Sequence, residues 1–69
     1  MSDHAAVEQM KQLLAQYPDA QEFAMHFIIF WGKVEKQLTT DGLIKVHALA
    51  KPQLIKADLT AAAMDAKKH

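Results

Sequence analysis

Apolar residues recur along this chain at the three- and four-residue spacing of helices, and three breaks interrupt them: Tyr17-Pro18-Asp19, Thr39-Thr40-Asp41-Gly42 and Lys51-Pro52. In the first segment Val7, Met10, Leu13, Leu14 and Tyr17, with Ala6 beside them, fill about a third of a helical wheel. Glu8, Gln9, Lys11 and Gln12 fill the rest. The spacing predicts an amphipathic helix from Asp3 to about Gln16 with one buried face. Ser2 or Asp3 is placed to cap its first turn. Pro18 stops it, because the residue before a proline is pushed out of helical geometry.

A second helix is expected to start at Asp19, with Glu22 three positions on in the manner of a capping box, and to run to about Leu38. Its main apolar face is Phe23, Phe27, Phe30, Trp31, Val34 and Leu38. That face leaves Met25, Ile28 and Ile29 unexplained. They form a second stripe that also contains Gly32, and glycine inside a helix costs about 1 kcal/mol relative to alanine. Two readings account for the stripe. Either this helix lies centrally in the monomer with neighbours on two sides, or one stripe packs internally and the other meets a second copy or a partner.

The third segment, from Gly42 to Lys68, reads two ways. As helix, Leu43, Val46, Ala50, Leu54, Ala57, Ala61 and Met64 form one stripe that keeps phase across Pro52, with Pro52 on the solvent side. Ile44, Ala48, Ile55 and Leu59 form a second. As a hairpin over 43–60, Ile44, Val46 and Ala48 would face Leu59, Ala57 and Ile55, with Lys45 opposite Asp58. Lys51-Pro52 is a poor two-residue turn, and Ala, Leu, Lys and Gln outnumber β-branched residues, so helix is favoured. The expectation is an all-α bundle of three helices, or four with a break near Pro52. The alternative is an α+β fold with the hairpin. Residues 66–69 are expected to fray.

Size limits what this pattern can build. The 69 residues make one small domain, 1–69, whose core is marginal. Chains this short compensate with disulfides, a metal or self-association. There is no cysteine, which removes disulfides, thiolate zinc sites and thiol catalysis. The chain begins without a signal-peptide pattern, and its most apolar run, Phe23 to Trp31, is too short for the roughly 20 residues of a membrane span. The protein is therefore read as cytoplasmic, with no membrane partner.

Charge argues against nucleic acid without closing it off. Eight lysines balance eight acids, and there is no arginine, the side chain best suited to bidentate contacts with guanine and phosphate. Lys33, Lys36, Lys45, Lys51 and Lys56 nonetheless gather in mid-chain, so a small DNA-binding regulator using the lysines of residues 33–56 is kept as the alternative function.

Reactive chemistry is sparse. His4, His26, His47 and His69 are the imidazole ligands, and Glu22 with His26, one helical turn apart, is the best pair. Two ligands on a polar face read as ion-pair partners rather than a metal site. The hydroxyls do not assemble a nucleophile, base and orienting group. Ser2 and Thr40 look like caps. With only Gly32 and Gly42, no glycine-rich phosphate loop exists. No enzyme activity, metal or cofactor is expected. What remains is an apolar surplus, which small dimers bury much as a domain buries its core. The expected function is a non-catalytic, protein-binding regulator, inhibitor or adaptor. It would form a homodimer through its second helix and modulate a larger protein partner, with Met25, Ile28, Ile29 and Gly32 as the interface.

Overall fold

A computed structural model describes the backbone of residues 2–67 and the side chains of residues 2–65. It shows three helices: α1 (Asp3–Gln16), α2 (Ala20–Val34) and α3 (Thr40–Lys67). No strand occurs among the described residues. The hairpin over 43–60 is thus overturned, and so is a fourth helix from a break at Pro52. The core stripe of α3 outweighs the local penalty of proline. Val46, Ala50 and Ala57 are all buried, on both sides of an exposed Pro52. A hairpin or a break would have pulled that stripe out of register with α1 and α2. Of the fraying expected over 66–69, residues 68 and 69 lie outside the described residues; the helix itself continues through Lys67.

Local signals set the first boundaries. The Ser2 hydroxyl accepts the Ala5 N–H at the start of α1. The Tyr17 N–H closes the helix on the Leu13 carbonyl before Pro18. Asp19 caps α2, its carboxylate accepting the Glu22 N–H at 3.0 Å. Two expectations need correction. α2 stops at Val34, not Leu38: a turn over 35–37 follows, and the Gln37 and Leu38 N–H groups both reach back to the Val34 carbonyl. Leu38 still packs on the core, now from the turn. The cap of α3 is Thr39 and not Thr40, since the Thr39 hydroxyl accepts the Gly42 N–H at 3.2 Å.

Long-range contacts fix the topology. The Asp3 carboxylate accepts from both the backbone and the hydroxyl of Thr39, which puts the start of α1 beside the start of α3. The Gln21 side-chain amide donates to the Met64 sulfur at 3.7 Å, putting the start of α2 beside the far part of α3. The helices therefore run up, down and up, and α3 packs against both others. Ala6, Met10, Phe23, Phe27, Phe30, Val34, Val46 and Ala50 form the core, ringed by half-buried Val7, Leu13, Leu14, Leu49 and Leu54. Each fully buried large side chain, such as Phe23, contributes about 1.5–3 kcal/mol.

The helices are unequal. At 1.5 Å per residue α3 is about 42 Å long, and α2 about 22 Å. The 45 Å long axis of the molecule is thus the length of α3. Beyond Ala57 its core stripe runs past the bulk of α1 and α2, with the Gln21 side chain still reaching Met64, and Ala61 and Met64, in phase with the core, are exposed.

Candidate interaction surface

The reading of α2 as a central helix with neighbours on two sides is overturned, because its second stripe is exposed. The Phe23–Phe27–Phe30–Val34 face is buried against α1 and α3, while Met25 (68%), Ile28 (69%) and Ile29 (58%) face outward and are more than half exposed. Gly32 shares their face and is also exposed. A methyl group added there would meet nothing within 4 Å. No intramolecular packing calls for this glycine, so its cost in helix stability goes unrepaid inside the monomer.

α3 adds a second exposed apolar row that sequence reading noted only as a stripe. Ile44, Ile55 and Leu59 are about half exposed or more, and Ala48 lies between them. Between α2 and α3 lies a groove of about 410 Å³ lined by Trp31 of α2 and by Thr40, Leu43, Ile44, His47, Ala48 and Lys51 of α3. Trp31 is in phase with the core face of α2. It lies at the edge of that face nearest α3, half-buried, with its ring stacked on Phe27 at 5.5 Å and meeting the His47 ring edge-on at 5.9 Å. Phe27 and His47 are likewise edge-on at 6.4 Å. His47 thus lines the groove while its ring contacts both aromatic side chains of α2. The signal in sequence was the i, i+4, i+11, i+15 recurrence of Ile44, Ala48, Ile55 and Leu59, which could be tied to α2 only once the side of α2 taken by α3 was known.

His26 stacks on Tyr17 with ring centroids 3.8 Å apart, an interaction that positions the imidazole at the end of α1. Among the described residues no three His, Asp or Glu side chains gather as metal ligands. Lys33, Lys36, Lys45, Lys51 and Lys56 are all exposed, but Lys45 and Lys51, six residues apart on one helix, point about 120° away from each other. Lys45 faces the α1 side with Asp3 and His4, and Lys51 lines the groove beside Trp31. The single ion pair among the described residues is Lys11–Glu8, one helical turn apart on the exposed face of α1, worth a few tenths of a kcal/mol. Among the described residues no helix is long and apolar enough to cross a membrane. Compared with known protein families, curated proteins and solved structures, the chain finds no match.

Proposed function

We propose that this protein is a non-catalytic binding module that self-associates through the outer face of α2 and, as a regulator, inhibitor or adaptor, modulates a larger protein partner in the cytoplasm. The observation that carries this reading is the exposed stripe of Met25, Ile28 and Ile29 with Gly32 open beside it. Isolated exposed apolar residues need no explanation, but a contiguous row of them marks an interaction surface. The size of the chain supports the same reading. It exposes 4934 Å², against roughly 4,300 Å² for a compact monomer of its mass.

The test is the mass in solution by sedimentation equilibrium from low to high micromolar concentration. The expected result is a dimer that Ile29→Lys converts to a folded monomer, judged by an unchanged helical circular dichroism spectrum. A wild-type chain that stays monomeric and folded across that range overturns self-association. Covalent capture from the native cells through a photo-crosslinker placed at Met25 then identifies the larger partner, and its loss in the Ile29→Lys background ties that partner to this face.

A further inference from the structure

We infer that the groove between Trp31 and the first three turns of α3 docks an amphipathic helical segment of another protein, one whose apolar face is flanked by acidic side chains. This is a second contact surface, separate from the outer stripe of α2, and it holds whether or not that stripe self-associates. At 100° per residue Ile29 points about 160° away from Trp31 round α2. None of Met25, Ile28, Ile29 and Gly32 lines the groove.

The lining sets the chemistry of the occupant. Thr40, His47 and Lys51 follow one another at seven and then four residues, which puts all three within about 40° of one another on α3. Leu43, Ile44 and Ala48 flank that polar line, and Trp31 forms the facing wall. No Asp or Glu lines the groove. Lys51 has no carboxylate partner, since the single ion pair among the described residues is Lys11–Glu8. The Thr40 hydroxyl likewise has no hydrogen-bond partner among the described residues. The same side of α3 turns acidic only at Asp58, two turns beyond Lys51. In a chain of zero net charge, this leaves a local positive group on an apolar surface, and its complement is an acidic group beside apolar ones.

Shape sets the form of the occupant. The lined stretch from Thr40 to Lys51 runs about 16 Å along α3, or three turns. Its 410 Å³ lie open to solvent between two helices. A small molecule would be left largely uncovered there, whereas pockets for such ligands bury about 70–90% of the ligand surface. A helix laid along the pair fills the groove with apolar side chains one turn apart, while its acidic neighbours reach Lys51. Half-buried Trp31 provides an aromatic anchor of the kind that dominates contact energies. A second copy placed by two-fold symmetry would bring the same positive groove against itself, so charge favours a different chain.

Trp31 is the only tryptophan, so its emission reports on the groove in the unaltered protein. The probe is a synthetic peptide of about 15 residues, long enough for helix and lacking tryptophan, with Leu one turn apart on one face and Glu flanking them. Its counterpart carries Lys in place of each Glu. At low salt the Leu/Glu peptide is expected to give a saturable blue shift of Trp31 emission, and the Leu/Lys peptide to bind about three- to tenfold more weakly. Lys51→Glu should reverse that preference with the helical circular dichroism spectrum retained. Ile29→Lys should leave the affinity for the Leu/Glu peptide within about twofold, whatever it does to the mass in solution. No saturable shift with either peptide overturns the docking site. Equal affinity for the two peptides overturns the acidic partner, and equal binding by a Leu/Glu peptide broken by a central proline overturns its helical form. A blue shift that follows protein concentration without peptide means that a second copy fills the groove, which overturns the inference. Loss of peptide binding in Ile29→Lys overturns the separation of the two surfaces while leaving the self-association reading of α2 intact.

Discussion

The carboxylate of Asp3 accepts two hydrogen bonds from Thr39, one from its backbone N–H at 3.1 Å and one from its hydroxyl, across 36 residues of chain. The Thr39 hydroxyl in turn accepts the Gly42 N–H. One acidic side chain thereby ties the first turn of α1 to the capping turn of α3. The two Thr39 bonds hold the Asp3 carboxyl below its ordinary value of 3.8, with Lys45 adding a smaller pull in the same direction. Because the folded-state value is depressed, the stabilisation is fully present above the unfolded value and is lost as pH falls through the folded one. Thermal unfolding of the wild type should therefore weaken on acidification below about pH 4. Asp3→Ala should lower the melting temperature at neutral pH and flatten that part of the acid dependence. An Asp3→Ala protein with the wild-type acid profile would show that the clasp contributes nothing in solution.

The two glycines are expected to respond in opposite directions to the same substitution. A methyl group on Gly42 would fall inside van der Waals contact with the Asp3 carboxyl. Asp3 would have to swing away and release Thr39, so Gly42→Ala should destabilise by about 1–2 kcal/mol in spite of alanine's better helix propensity. Gly32 has open space instead, and Gly32→Ala should stabilise the folded monomer by about 0.5–1 kcal/mol. Urea unfolding of the two variants at low protein concentration, where self-association does not contribute, measures both. Equal shifts of the same sign would contradict the close approach of α1 to α3 at Gly42.

The burial pattern of α2 makes neighbouring residues unequal. Phe23 is fully buried, and Phe23→Ala should cost about 3–5 kcal/mol, as much as a core of this size supplies in total. The variant is expected to lose its helical signal at 222 nm at room temperature. Ile29→Ala, at an exposed position, should shift monomer stability by no more than about 0.5 kcal/mol. If the two variants unfold alike, the face of α2 turned to the core has been misplaced.

How far these features are legible in the sequence depends on whether their cause is local. α1 could be bounded at both ends because Ser2 and Pro18 act within one turn of the boundary. The end of α2 could not, because Leu38 keeps perfect helical phase with Val34. What halts the helix is the need to present Thr39 to Asp3, a contact between residues far apart in the chain. The same contact chooses Thr39 over its neighbour Thr40 as the cap, a choice local sequence leaves open. The outward stripe of Met25, Ile28 and Ile29 was visible as a surplus over one buried face. The groove between α2 and α3 is hidden in the sequence because Trp31 sits in phase with Phe27 and reads as core until the flank occupied by α3 is known.

Pro52 is the position where local propensity and tertiary packing disagree most openly. It lies inside α3, exposed to solvent, and lacks the N–H that would have reached the carbonyl of Ala48. Ala48 is exposed as well, so water can serve that carbonyl, and the buried stripe of Val46, Ala50 and Ala57 holds the two halves of the helix in phase. Proline in a helix interior costs about 3 kcal/mol relative to alanine, less where solvent relieves the lost bond and where proline's stiffness narrows the unfolded ensemble. Pro52→Ala should therefore raise stability by about 1–2 kcal/mol, read as a higher urea midpoint with an unchanged slope. A lower midpoint would mean that the proline sets the direction in which the second half of α3 runs, and that straightening it strips Ala57 from the core. A higher midpoint with a larger slope would mean that the helix beyond Pro52 joins the cooperative unit only once the proline is gone.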